Sequence, residues 1–234
     1  MAAAQDEQNK NEKLSPTEQL IEFVQKNRKA FFIGFASIIA VIAVLIVGVS
    51  VRDKMQEKAL SRVEAYTRRY EELKAFINSD EPEAALKQVD LAVLLVEIDG
   101  FSGKSTGFPA ARAYSLSAAI LSEQKNWDLA EKAYLDAAKA AGKSYLAPVS
   151  FYNAAVAAEE SGNAENAVAH YKRALDYGNI FPAAARAQFS IGRVEESRGN
   201  TPAALEAYNT LIAKWPSDPV WTNLAQSRIL ALSD

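Results

Sequence analysis

Polar residues dominate the first 30 positions of the chain and then stop abruptly. From Phe31 to Val51 the sequence reads FFIGFASIIAVIAVLIVGVSV, 21 residues without a charge. At a rise of about 1.5 Å per residue a helix of this length spans about 30 Å, the thickness of a bilayer's hydrocarbon core. The pattern therefore predicts a transmembrane helix over 31–51. A buried core helix would keep a polar face over so many turns. A signal peptide would carry an apolar core of about 7–15 residues. The longer run here, with 30 residues before it, favours an uncleaved anchor. Gly48 and Ser50 offer cleavage-like spacing and keep the cleaved alternative open.

Just before the span, Ser15-Pro16-Thr17-Glu18 forms a capping box with Pro at the first helical position, a strong helix start. It predicts an amphipathic juxtamembrane helix over 15–30. Leu20, Phe23 and Val24 would rest against lipid headgroups, or the helix would simply feed the span. Residues 1–14 are polar and predict a disordered tail. Lys26, Arg28 and Lys29 precede the span, while Arg52, Lys54, Lys58 and Arg62 follow it. Three cations against four leave the positive-inside rule without a vote on orientation.

Past the span the apolar spacing becomes helical and then repeats. Ala130, Ala167 and Ala204 lie 37 residues apart, and each is followed four positions later by a tyrosine: Tyr134, Tyr171 and Tyr208. Lys125-Asn126, Gly162-Asn163 and Gly199-Asn200 precede these pairs. They predict tight turns in which glycine supplies the left-handed conformation. Apolar-periodic helices over 110–124, 149–161 and 183–198 lead into the turns, with Pro109, Pro148 and Pro182 near their starts. This helix–turn–helix pattern resembles the tetratricopeptide repeat, whose usual length is about 34 residues. Ala155 and Gly192 match its small residue in the first helix. The expected architecture is all-α, a single transmembrane helix followed by a tetratricopeptide-repeat-like α-solenoid. Its divisions are a long linker helix and degenerate first repeat over 52–108, three repeats over 109–216 and a capping helix over 217–234.

Composition narrows the chemistry. The 26 Lys+Arg and 29 Asp+Glu give a net charge of −3, without the basic footprint of a nucleic-acid binder. No Cys and a single His leave no thiolate zinc site and no His cluster. Gly100-Phe101-Ser102-Gly103-Lys104-Ser105-Thr106 ends like a Walker A loop, but Ile98 occupies the position of its first glycine. It reads as an inter-repeat loop. His170 stands beside Tyr171 with no second ligand and reads as structural or solvated. The expectation is a protein without catalytic residues, metal, cofactor, small-molecule substrate or nucleic-acid partner.

What remains is surface. Curved solenoids offer a concave face, here lined by the first helix of each unit. Register places Arg112 and Ser115, then Tyr152, Asn153 and Val156, then Arg186, Phe189 and Arg193 along it. Aromatics and Arg are enriched in protein contacts, so these eight are the candidate protein-binding residues, with packing between repeats as the competing role. Over nearly the whole chain the layout resembles the ancillary SecYEG translocon subunit family of single-pass bacterial inner-membrane proteins. Gln19 to Lys29 leading into the span, Arg52 to Phe76 and the three repeats carry the resemblance. It implies a cytoplasmic N-terminus, periplasmic repeats and partners among Sec translocon subunits, secretory clients or periplasmic chaperones. The alternative is a structural scaffold in envelope assembly or cell division with no role in secretion.

Overall fold

The computed structural model describes residues 15–77 and 84–233, with side chains described from Lys87 onward in the second stretch. The expected disordered tail over 1–14 lies outside the described residues, as do Pro82 and the side chain of Ala85. Among the described residues the protein is all-α, as the periodicity predicts. The chain divides after Gln56 into two compact units.

In the first unit, α1 (Pro16–Lys26) starts on the capping box: Glu18 N–H donates to Ser15 Oγ, and Ser15 N–H donates to Glu18 Oε2 at 2.8 Å. Its apolar residues Leu20, Ile21, Phe23 and Val24 gather on one side and are exposed. Asn27 ends α1, and α2 (Arg28–Ile77) follows as an unbroken 50-residue helix. The N-terminal part of α2 is long and apolar enough to cross a membrane, and no residue of that stretch is buried by protein.

The second unit begins within α2, whose Val63, Tyr66, Tyr70 and Leu73 pack with Leu91, Leu94 and Ile98 of α3 (Ala84–Ser102). α4 (Gly107–Glu123) completes this cluster through Ala113 and Ile120. The helices then alternate regularly: α5 (Trp127–Ala141), α6 (Leu146–Glu160), α7 (Ala164–Leu175), α8 (Ala184–Ser197), α9 (Thr201–Lys214) and α10 (Pro219–Ser233). Each packs against its neighbours in sequence, and α4 also meets α6 as α8 meets α10. Alanines line the contacts, Ala154, Ala155, Ala157 and Ala158 of α6 all being buried. Small side chains let the helix backbones approach, so the pairs close tightly.

The turns show why the 37-residue register exists. Lys125, Gly162 and Gly199 have φ of 59°, 81° and 72°. At each, the following Asn N–H bonds the carbonyl five residues back: Asn126 to Leu121 at 2.9 Å, Asn163 to Ala158 at 2.8 Å and Asn200 to Glu195 at 2.9 Å. Together with the bonds from Lys125, Gly162 and Gly199 to the carbonyls three residues back, this is the Schellman closure that satisfies a helix's last carbonyls. Asn163 then caps α7 by accepting from Asn166 N–H. The Walker-like segment is divided: Gly100 to Ser102 form the last turn of α3, and Gly103 to Thr106 make the short inter-helix loop that leads into α4 at Gly107.

Candidate functional site

Register-equivalent residues of the repeats build one device twice. Tyr171 and Tyr208 are fully buried and reach back to the end of the first helix of their own pair. Tyr171 Oη donates to Glu159 Oε1 at 2.6 Å, and Tyr208 Oη donates to Glu196 Oε2 at 3.0 Å. Each carboxylate also receives a guanidinium from further along the chain. Arg193 of α8 pairs with Glu159, and Arg228 of α10 pairs with Glu196, its Nε donating at 3.1 Å. Burial pushes the Tyr208 hydroxyl up to about 12, helped by its bond to Glu196. The same two causes raise Tyr171 further. The Arg228 guanidinium holds Glu196 below the usual carboxylate range. A Tyr–Glu–Arg chain of charge-assisted bonds thus ties one helix pair to the next helix in line.

Close fit accompanies the bonds. Gly192 faces the Tyr208 ring, where an added Cβ would stand 2.7 Å from Cδ1, 2.8 Å from Cζ and closer still to Cε1. Nothing larger than glycine fits while the ring stays where it is.

The candidate residues on the first helices separate into two groups against this frame. Tyr152 is buried, its ring 5.2 Å from Tyr171 and 6.1 Å from Phe181 by centroid. Phe189, its equivalent one repeat on, stacks at 5.4 Å on both Tyr208 and Trp221. Arg193 is engaged with Glu159, and Ser115 is half-buried with an enclosed hydroxyl. Tyr152, Phe189 and Ser115 pack between helices, whereas the Arg193 side chain stays 53% exposed while it pairs with Glu159. Arg112, Val156 and Arg186 are exposed and Asn153 is half-buried. Arg186 arches over the Tyr152 ring at 5.3 Å, a cation–π contact that fixes the guanidinium at the surface.

His170 is buried, and its Nε2 lies 2.8 Å from Glu131 Oε1, which also accepts from Asn166 Nδ2 at 3.0 Å. It therefore joins α7 to α5. From sequence, Glu159 and Glu196 read as solvated carboxylates ahead of the turns and neither Glu131 nor Arg228 stands out, because their partners lie 12 to 39 residues away. The 37-residue recurrence of Glu159 and Glu196 beside Tyr171 and Tyr208 was the available signal. Among the described residues no group of three or more His, Asp or Glu gathers as metal ligands would.

Residues 152–219, opening on Tyr152 and including both Tyr–Glu pairs, match the model of the tetratricopeptide repeat family. Over 127 residues the chain is 39% identical to a "TPR repeat-containing protein" of Treponema pallidum (strain Nichols), covering 54% of this chain and 52% of that protein. The chain thus spans about half the length of that relative. Among solved structures it resembles the crystal structure of MamA, at 15% identity over 66% of this chain and 87% of that one, with a TM-score of 0.45. The stacked helix pairs of residues 152–219 thus have a tetratricopeptide-repeat-like fold and match that repeat's sequence model. Stacked repeats of this kind present extended surfaces that bind other proteins.

Proposed function

We propose that the chain is a membrane-anchored protein–protein interaction scaffold that recruits secretory clients or periplasmic chaperones at the Sec translocon. The observation that carries the scaffold reading is the contrast on the first helices. Tyr152 and Phe189 lock the repeats together, while Arg112, Val156, Arg186 and the Glu159-paired Arg193 remain exposed on the frame they make. Rigid elements that present guanidinium and apolar groups suit the binding of extended or helical peptide segments. The apolar stretch of α2 supports an anchor, with the cleaved signal sequence as its competitor. Anchoring raises the effective concentration of tethered partners, so each contact need only be weak. The translocon assignment, the inner-membrane location with a cytoplasmic N-terminus and the periplasmic repeats rest on the resemblance of the layout.

The test is photocrosslinking in cells from Val156 and Arg186, with captured proteins identified by mass spectrometry. Translocon subunits, nascent secretory chains or periplasmic chaperones are the expected products. Capture of cell-wall or division machinery alone replaces the recruitment reading with the envelope-scaffold one. Cytoplasmic proteins alone overturn the orientation.

A further inference from the structure

Two clefts occupy the same place in the repeat register. The earlier, of about 210 Å³, is lined by α3, α4 and α5, and the later, of about 230 Å³, by α7, α8 and α9. Shifted by two 37-residue periods, seven of the eight residues lining the later cleft fall on residues lining the earlier one. Tyr114 falls on Gln188, Ala133 on Ala207 and Asp136 on Thr210. The pair between them fills this place with its own basic side chains. Phe151, His170 and Arg173 stand at the three corresponding positions. His170 is buried against Glu131, and the Arg173 guanidinium lies over the Phe151 ring, 4.0 Å from its centroid, a close cation–π contact. The earlier cleft keeps the aromatic and lacks the cation. Tyr114 lines it, and among the described residues no ring or cation stacks on Tyr114. Asp136 stands where Arg173 stands one repeat on; it is half-buried and pairs with no cation among the described residues. Asp99 joins it in the lining, with Oδ1 accepting from Ser117 Oγ at 2.9 Å.

We propose that the earlier cleft receives an arginine side chain of a partner protein, its guanidinium stacked on Tyr114 and paired with Asp136 and Asp99. Arg173 on Phe151 is the precedent within the chain: the same place, with the arginine supplied from α7. Arginine suits the cleft better than lysine, because a planar guanidinium both stacks on a ring and forks onto carboxylates. Its methylenes would rest on Leu121 and Leu129. An aliphatic side chain would cover the same walls but strip water from two carboxylates without replacing it. Lys132 also lines the cleft. It is exposed and in no ion pair among the described residues, two carboxylates outnumber it, and its flexible stem lets the ammonium move into water. The later cleft does not offer the same seat, since Gln188 replaces the ring and donates to the Ala207 carbonyl at 3.1 Å. Tyr114, Ser117 and Leu121 lie on the opposite side of α4 from Arg112 and Ser115, so this is a second surface, distinct from the first-helix candidates. The arginine's carrier belongs to the scaffold reading above, whereas the cleft is tested with the free side chain, so either can fail alone.

The probe is N-acetyl-arginine amide, titrated into the full-length protein in detergent micelles with its leucine methyl groups labelled for NMR. The Leu121 and Leu129 methyls are expected to shift to saturation in the millimolar range, as suits a single side chain. The citrulline analogue has the same shape without the charge and is expected to bind about tenfold more weakly. Asp136→Arg supplies the guanidinium from α5, as Arg173 does from α7, and is expected to abolish the shifts while leaving the helical circular-dichroism signal unchanged. Asp136→Asn, which adds no bulk, is expected to weaken arginine binding and narrow its lead over citrulline. Leucine methyls that do not move, or citrulline binding as tightly as arginine, overturn the assignment. So does arginine binding that survives undiminished in both Asp136 variants.

Discussion

The helix pair α4–α5 and the pairs α6–α7 and α8–α9 share the same 37-residue register, yet only the latter two carry the Tyr–Glu–Arg link. Column by column, the first pair departs. Lys125 stands where Gly162 and Gly199 stand, Ser122 where Glu159 and Glu196 stand, and Ser115 where Tyr152 and Phe189 stand. Tyr134 is half-buried and hydrogen-bonds Ser122, where Tyr171 and Tyr208 are buried against carboxylates. The fold persists because alanine packing and the Schellman turn suffice to close a helix pair. What the first pair lacks is the Tyr–Glu–Arg link; it meets the next pair through Glu131, which accepts from Asn166 and lies 2.8 Å from His170 Nε2. The match to the repeat model covers 152–219, which includes both Tyr–Glu pairs and excludes α4–α5.

The sharpest way to break the comparison is to delete the tyrosines. Tyr208→Ala is expected to destabilise the protein by about 3–5 kcal/mol, the cost of emptying a closed aromatic site. Tyr134→Ala, at a half-buried position, is expected to cost clearly less. Urea unfolding of both variants, with equal m-values, measures the difference, and equal losses would erase the distinction between the pairs.

Next in size is Gly192→Ala. Helix propensity alone would reward the change, but the added methyl meets the Tyr208 ring, and overpacking of this kind costs about 1–3 kcal/mol. A stabilised Gly192→Ala protein in the same unfolding measurement would show the ring free to move. The smallest effect belongs to Lys125→Gly. Lysine at φ 59° pays a left-handed penalty that Gly162 and Gly199 avoid, so the substitution is expected to stabilise by about 0.5–1 kcal/mol, seen as a raised thermal midpoint.

Much of this arrangement is legible in the chain because it is local. Glycine or lysine before Asn, an alanine one turn into each second helix and a tyrosine four positions after it all act within one helix pair. Their physical causes operate over a few residues. The bounds of α4, α6 and α8 fall within three residues of the expected helices for the same reason. The surface was harder to read. Register put Tyr152, Phe189 and Arg193 beside Arg186 and Val156 on the first helices, but whether a side chain faces solvent depends on what arrives from the next pair. Phe181 and Trp221 decide that for Tyr152 and Phe189, while Glu159 pairs with an Arg193 that stays exposed. Likewise Glu159 and Glu196, at the ends of polar stretches, read as solvated until Tyr171, Tyr208 and two distant arginines claim them.

The Tyr–Glu–Arg link has a direction in the order of synthesis. Glu159 waits for Arg193, 34 residues later, and Glu196 waits for Arg228, 32 residues later. At a translation rate of about 5–20 residues per second each carboxylate stays unmatched for on the order of seconds after its own helix emerges. Each of these two carboxylates is thus matched only by a helix that follows its own pair. Until α10 is made, Glu196 lacks this counter-ion and Tyr208 alone holds it in place.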